Sequence, residues 1–197
     1  MEHGANNFYE IIFGPIEDPP GYELDEDHRN LIKWMLDLGA NPGEILKGAA
    51  ENGHPDIIDL VLKYSPEDLQ QIDYNEAMIA ATKGGYISII ELLLDSGEVD
   101  INIIDKALLA AVNDANENDT VQLLLNNDAN VNYANDDGIT ALMNAAIRGY
   151  DNIVQLLIDN NADINHTDNN GDTALTLTRF AVNNKNDTVQ LLFIQYW

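Results

Sequence analysis

The sequence predicts an all-α repeat solenoid built from stacked helix-turn-helix units. One observation is internal similarity at a constant spacing, because residues 138–142 (GITAL) return 33 positions later as residues 171–175 (GDTAL). Another is a recurrent apolar run, since residues 120–125 (TVQLLL) and 153–158 (IVQLLI) are also 33 positions apart. Periods of about 20 to 50 residues are typical of arrays of supersecondary units. A single unit cannot bury its apolar face, so at least about three must stack.

Each unit is predicted to pair a helix of small residues with a helix rich in leucine and isoleucine. Adjacent alanines mark the first helix and let neighbouring units approach closely. These alanine pairs are Ala49-Ala50, Ala80-Ala81, Ala110-Ala111 and Ala145-Ala146. The apolar second helix follows each pair and fills the space between layers. A turn with glycine joins the two helices at Gly53, Gly85 and Gly149, because glycine reaches positive φ at low cost.

These motifs resemble those of the ankyrin repeat family. That family's unit has a finger turn with Gly-x-Thr, an Ala-Leu-x-x-Ala-Ala helix, a Gly turn, an Ile-Val-x-Leu-Leu helix and a closing Ala-Asp-x-Asn segment. The copy that matches best spans residues 135–167, with Gly138 and Thr140 in the finger and ADIN at 162–165. The resemblance covers roughly residues 30–193. It implies about six repeats, the first one degenerate, with short β-hairpin fingers between repeats.

The array is predicted to be irregular at its beginning. The finger between the first two repeats looks deleted, because Pro42 and Gly43 turn the chain straight into the next helix. Between the second and third repeats, residues 64–68 (YSPED) replace the usual Gly-Ala-Asp segment. Residues 131–140 and 164–173 both have the composition expected of a finger, rich in Asn and Asp with Gly.

Two regions are predicted along the chain. Residues 1–29 comprise a degenerate N-terminal helix and an acidic, proline-containing insertion at 14–28, and residues 30–197 comprise the repeat array. The composition of the insertion predicts an exposed linker. Within it, residues 19–22 (PPGY) resemble the Pro-Pro-x-Tyr ligands of WW domains. A loop that packs Tyr22 against the first repeat explains the same residues.

Composition excludes several classes of function. A net charge of −25, from 34 acidic and 9 basic residues, argues against nucleic acid and anionic membranes as partners, because both require clustered Lys and Arg. No apolar run reaches the roughly 18 residues of a membrane span. The absence of cysteine excludes a disulfide scaffold and a thiolate metal site. With no signal-peptide pattern at the N-terminus, we expect a cytoplasmic protein.

Neither an enzymatic activity nor a cofactor nor a metal is predicted, because no catalytic constellation or phosphate loop occurs in the sequence. Residues 114–118 (DANEN) imitate the start of an EF-hand calcium loop. However, Asp119 stands where that loop needs glycine, and Leu125 stands where it needs glutamate. We expect His54 to bond the backbone in its turn and His166 to be solvated.

The family resemblance implies a binding surface for a protein partner, formed by the finger tips and the outer face of the first helices. Tyr133, Ile139 and Ile147 are the apolar candidates for a hot spot, ringed by polar residues. The full set that the resemblance carries over by position is Glu51, Asn52, Lys83, Asn113, Asp114, Tyr133, Asp136, Asp137, Ile139, Ile147, Arg148, Asn169, Asn170 and Asp172.

Three functional classes follow from the resemblance and the charge. The broadest is a protein–protein binding module with an acidic surface and a basic protein partner, favoured by charge complementarity. A narrower one is an immunity or inhibitor protein that neutralises a basic toxin or nuclease, with carboxylates in place of phosphates. The third is a host-directed effector of an intracellular bacterium or large virus. A neighbouring toxin gene would select the second class.

The last predicted helix ends in residues 191–197 (LLFIQYW), which is a poor solvent-facing cap for a repeat array. Leu191 and Leu192 fit the core, whereas Phe193, Tyr196 and Trp197 are surplus aromatic residues. They either fold back onto the final repeat or mediate weak self-association.

Overall fold

The computed structural model describes residues 26–113, 118–178 and 186–194, without the side chains at 186, 187, 193 and 194. The chain forms two compact units, Met1–Asp100 and Ile101–Trp197. Several predicted features lie outside the described residues. They are the degenerate N-terminal helix, most of the insertion with its PPGY segment, Asp114, the side chain of Phe193, and Tyr196 and Trp197.

The described part of the first unit contains one single helix and two helix pairs. In chain order its elements are α1 (Glu26–Asp37), α2 (Pro42–Asn52), α3 (Pro55–Tyr64), a 3₁₀ turn (Pro66–Asp68), α4 (Gln71–Gly84) and α5 (Ile87–Ser96). The first helices α2 and α4 pack side by side, and the second helices α1, α3 and α5 form the other layer. Residues 26–28, in the predicted insertion, are helical, and Glu26 and Asp27 suit the positive end of a helix dipole.

Helix α2 begins and ends where the sequence supplies capping residues. Asn41 accepts a hydrogen bond from the Gly43 backbone N–H at 2.9 Å, and Pro42 occupies the first turn. At the other end Gly53 adopts φ 74°, and its N–H bonds the Ala49 carbonyl. Only residues 38–41 separate α1 from α2, as expected for a deleted finger.

The second unit contains three helix pairs among its described residues. Its elements are α6 (Ile101–Asn113), α7 (Asn118–Asn126), α8 (Ala141–Arg148), α9 (Asp151–Asp159), α10 (Ala174–Leu177) and α11 (Asn186–Ile194). The first helices α6, α8 and α10 pack in sequence, and α7, α9 and α11 form the second layer. With the five pairs of the two units and the single helix α1, the predicted repeat solenoid is confirmed.

The fingers contain less β structure than a hairpin. Within the described residues no strand forms, and one isolated antiparallel bridge joins Ala134 to Thr140. Within the turn that this bridge closes, the Asn135 N–H donates to the Ile139 carbonyl at 3.1 Å. Between α5 and α6 the described chain has no finger, since only residues 97–100 separate the two helices.

A reciprocal side-chain contact holds Asp100, the last residue of the first unit, against α4. The Asn75 amide on α4 donates to the Asp100 carboxylate at 2.7 Å, and the Asp100 backbone N–H donates to the Asn75 side-chain oxygen at 3.1 Å. Asn75 is buried, so both of its hydrogen bonds are needed to satisfy the amide. The link ties the segment before α6 back onto the preceding first helix.

The core follows the predicted alternation of small and large residues. Ala49, Ala81 and Ala145 are completely buried in the first helices, whereas Ala80 and Ala110 are only half-buried. The second helices contribute fully buried aliphatic residues: Ile57, Ile58, Val61, Ile89, Ile90, Leu93, Val121, Leu124, Val154 and Leu157. Large-to-small changes at such positions typically cost about 2–5 kcal/mol.

Two second helices are followed, two residues after their ends, by a non-glycine residue with positive φ, Asp128 at 63° and Asn161 at 66°. Asn161→Gly should therefore raise the free energy of unfolding by about 0.5 kcal/mol, because the relief of left-handed strain exceeds the added entropy of the unfolded chain. The Asn161 carbonyl, which accepts from the Asn132 amide, is retained. Chemical denaturation measures the change.

The reciprocal control is Gly39→Asn. Gly39 has φ 87°, and a Cβ there would meet no atom within 4 Å. The substitution should lower the free energy of unfolding by a similar amount. If Asn161→Gly destabilised the protein, the left-handed conformation at that position would not be a source of strain.

Candidate binding groove of the second unit

An open groove of about 330 Å³ lies in the second unit, between α6 and the finger that precedes α8. We call it the α6 groove. Helix α6 and the finger both contribute lining residues, which are Lys106, Leu109, Ala110, Asn113, Tyr133, Asn135 and Asp136.

One face of α6 forms the helical wall. The positions 106, 109, 110 and 113 recur at i, i+3, i+4 and i+7, which places them on the same side of a helix. The opposite side of α6 belongs to the core, where Ala107, Leu108 and Ala111 are buried. Because core packing fixes the helix, the groove-lining side chains start from a rigid backbone.

Asn135 organises the finger wall. Its side-chain oxygen accepts hydrogen bonds from the backbone N–H groups of Asp137 at 3.0 Å and Ile139 at 2.9 Å. This is an Asx-type turn, in which the side chain replaces a backbone acceptor. The turn places Tyr133 and Asp136 beside the α6 face.

The second finger, after α9, braces the first. The Asn169 side chain donates to the Asp136 carbonyl at 2.8 Å, and the Asn169 backbone N–H donates to the Asp137 carbonyl at 3.0 Å. A Cβ on Gly138 would lie 3.0 Å from the Asn169 nitrogen and from the Asp168 Cα, so glycine is needed where the fingers approach. The bracing limits the motion of the finger wall.

The expectation that His166 is solvated is wrong. Its Nε2 lies 3.0 Å from the Gly138 carbonyl oxygen, and the side chain is half-buried. The reason is the close approach of the two fingers, which brings the imidazole of one within reach of the backbone of the other. His166 is thus a structural contact between fingers.

The finger is also tied to the helices beneath it. The buried Asp105 carboxylate on α6 accepts the Asn130 backbone N–H at 2.7 Å. Asn132 accepts the Asp163 backbone N–H at 2.7 Å. These bonds hold the residues that lead into Tyr133.

Of the predicted surface residues, the groove brings together Asn113, Tyr133 and Asp136. Within the described residues, the polar side-chain atoms of these three and of Lys106 have no hydrogen-bond or ion-pair partner. Asp137 is exposed next to the groove, whereas Ile139 and Ile147 are half-buried and do not line it.

Other predicted residues lie elsewhere. Glu51, Asn52 and Lys83 lie at the ends of α2 and α4 in the first unit, and Arg148 is exposed at the end of α8. In the second finger, polar side chains form hydrogen bonds with nearby residues of the same segment. Asn170 donates to Asp168 at 3.3 Å, and Asp172 accepts the Thr176 hydroxyl at 3.0 Å.

Sequence reasoning missed Lys106, Leu109, Ala110 and Asn135 as groove residues. The helical period that runs back from Asn113 would have indicated the three α6 positions. Asn135 could have been found from its alignment with Asp168, 33 positions later, since both accept backbone N–H groups within a finger turn.

The finger carboxylate of Asp168 has a lowered pKa. Hydrogen bonds from the backbone N–H groups of Asp172, Asn170 and Gly171 stabilise the ionised form and hold the pKa of Asp168 below its ordinary value, against desolvation. Because the folded-state pKa is depressed, this contribution to stability is present at neutral pH. It is lost as the pH falls below about 4, through the pKa of the folded state.

We therefore expect Asp168→Asn to have a lower free energy of unfolding than the wild type at neutral pH. The difference between the two free energies should become smaller in acid. The measurement is urea denaturation of both proteins across the pH range from about 7 to 3. A difference that stayed constant would show that the charge of Asp168 does not contribute.

A second groove, of about 380 Å³, lies between α7 and α9. It is lined by Asn118, Asp119, Gln122, Asn152, Gln155, Leu156 and Asp159. Two of its side-chain amides already donate hydrogen bonds within the protein. Gln122 donates to Asn126 at 2.9 Å, and Gln155 donates to Asp159 at 2.7 Å. It provides matched control positions for the α6 groove.

Among residues 26–113, 118–178 and 186–194, no three or more His, Cys, Asp or Glu side chains are grouped as a metal site would require. In the same ranges, no helix has both the length and the apolar character that crossing a bilayer demands.

Comparisons with known proteins agree with the repeat architecture. A family model described as ankyrin repeats (3 copies) matches residues 24–105 and again residues 108–196. No curated protein shows a significant match. Similar solved structures include the crystal structure of the ankyrin repeat domain of Bcl-3, described as a unique member of the IκB protein family. It is 25% identical with a TM-score of 0.70, and the match covers 84% of this chain and 77% of that one. The resemblance found in the sequence is confirmed, and the chain belongs to the ankyrin repeat family.

Proposed function

We propose that the chain is a protein-binding module that holds its partner in the α6 groove. Ankyrin repeats are protein–protein interaction scaffolds, and the proposal follows that general role. The observation that carries it is the groove itself. It combines the apolar surface of Leu109, Ala110 and Tyr133 with polar side chains that have no partner among the described residues. Small apolar areas ringed by polar groups are typical of binding hot spots.

A basic protein is the partner that the charge supports. The whole chain carries a net charge of −25, and the exposed Asp136 and Asp137 lie at the finger tip beside the groove. Such a field attracts a basic partner during diffusional encounter. We further propose a cytoplasmic, non-enzymatic role. Weak self-association through the C-terminal aromatic residues is a separate proposal, which sedimentation experiments test.

The association rate should fall as ionic strength rises through about 0.15 M, where the Debye length is about 8 Å. Electrostatic attraction accelerates encounter more than it slows dissociation, so the dissociation rate should change less. Biosensor kinetics over a range of NaCl concentrations measure both rates. An association rate independent of salt would contradict the basic-partner proposal.

The experiment that tests the binding site is affinity capture followed by quantitative binding with the captured protein. Tyr133→Ala removes the aromatic residue of the groove and should weaken binding by at least about tenfold. Gln155→Ala, in the groove between α7 and α9, is the matched control and should bind like the wild type. Circular dichroism confirms that both variants are folded. Equal binding by the Tyr133→Ala variant and the control would contradict the proposed site.

A further inference from the structure

We infer that the α6 groove selects a partner segment of mixed charge, in which an arginine contacts Tyr133 and Asp136 and an acidic side chain contacts Lys106. The inference rests on the proposed function and specifies what the groove recognises. It differs from a general attraction of basic proteins, because it requires an acidic residue beside the basic one.

The finger wall provides the arginine contact. Tyr133 offers a half-buried aromatic ring, and Asp136 offers an exposed carboxylate on the same wall. A guanidinium can stack on an aromatic ring and donate two parallel hydrogen bonds to a carboxylate. A lysine ammonium is a compact point charge that cannot do both in the same way. The wall is therefore better suited to arginine than to lysine.

The helical wall provides the opposite charge. Lys106 is exposed, lines the groove and has no partner among the described residues. With Arg148, it supplies the permanent positive charge of the second unit over residues 101–113, 118–178 and 186–194. A uniformly basic segment in the groove would place a like charge against Lys106, which costs binding energy. An acidic side chain at that point would instead gain a charge-assisted contact.

The size and rigidity of the groove favour a short extended segment. A volume of about 330 Å³ is at the small end of the roughly 300–1,000 Å³ range of ligand sites. Asn113, which lines the same groove, can donate to and accept from a peptide backbone. The finger is held by Asn169 and His166, so little ordering of the protein accompanies binding.

The probe is a set of fluorescent, capped peptides of Gly, Ser and Ala that carry one arginine and one glutamate. The two charged residues are placed at every separation up to about six residues, in both orders, to span the groove. Matched peptides carry two arginines, lysine with glutamate, or citrulline with glutamate. With the full chain, we expect one separation of arginine and glutamate to bind at least about tenfold more tightly than the two-arginine peptide.

Variants assign that preference to the groove. Lys106→Glu should reverse it, so that the two-arginine peptide binds more tightly, and Asp136→Asn and Tyr133→Leu should each weaken the arginine–glutamate peptide several-fold. Gln155→Ala should leave the binding of every peptide unchanged. A preference for two arginines in the wild type, equal binding of all peptides, or a preference that survives Lys106→Glu would each overturn the inference.

The same proteins separate the two proposals. If Tyr133→Ala abolishes binding of the captured protein while no peptide shows the mixed-charge preference, the inference fails and the proposed binding site stands. If Tyr133→Ala leaves binding of the captured protein intact, the proposed site itself fails, whatever the peptides show.

Discussion

Replacing Gly53 with alanine should lower the free energy of unfolding by about 2–4 kcal/mol. Gly53 ends α2 with φ 74°, a conformation that disfavours any side chain with a Cβ. The added Cβ would also lie 2.5 Å from Cε1 and 2.8 Å from Cζ of Tyr86. The tyrosine ring packs directly over the glycine, so the methyl group must displace the ring or the helix end.

Gly97 is the matched control in the same unit. It ends α5 with φ 72°, but a Cβ there would meet no atom within 4 Å. Gly97→Ala should therefore cost only the backbone part, about 1 kcal/mol. Urea denaturation measures the loss of unfolding free energy in each of the two variants. The same measurement is made for Gly53→Ala combined with Tyr86→Leu. Equal losses from Gly53→Ala and Gly97→Ala would show that Tyr86 does not restrict this turn.

Asp105→Ala should lower the free energy of unfolding by about 1–3 kcal/mol, because it removes a hydrogen bond from a backbone N–H to a charged acceptor. The Asp105 side chain is 8% exposed, and its carboxylate accepts the Asn130 N–H at 2.7 Å. The bond joins α6, one wall of the groove, to the segment that leads to Tyr133. The substitution should therefore also weaken partner binding, although Asp105 does not line the groove.

Asp105→Asn provides the control for this effect. The amide keeps an oxygen that can accept the Asn130 N–H, so both stability and binding should recover most of the loss. Denaturation and binding kinetics on the two variants give the comparison. If Asp105→Ala destabilised the chain and left binding unchanged, the position of the finger would not depend on this bond.

The repeat architecture could be predicted because its signals are local and repeated. Alanine pairs such as Ala145-Ala146 and apolar runs such as residues 153–158 recur in register. Both alanines are buried, as are Ile153, Val154 and Leu157 of the run. The deleted first finger was also predictable, since Pro42 can begin a helix but cannot lie within one. The family was then identifiable from the motifs alone.

Contacts between fingers were not predictable in the same way. His166 looks like a polar loop residue in the sequence, and only the approach of the two fingers brings it to the Gly138 carbonyl. The Asn75–Asp100 contact before α6 was not predictable either, because it joins residues 25 positions apart. Four of the seven groove residues were missed for a related reason. Lys106 and Leu109 line a groove only because the finger lies opposite them.

Hydrogen exchange of the full chain, with and without its captured partner, tests the central claim most directly. If the partner lies in the α6 groove, exchange should slow in residues 106–113 and 133–138 on binding. It should stay unchanged in α7 and α9, which line the other groove. Protection confined to α7 and α9, with no change at residues 106–113 and 133–138, would contradict the account.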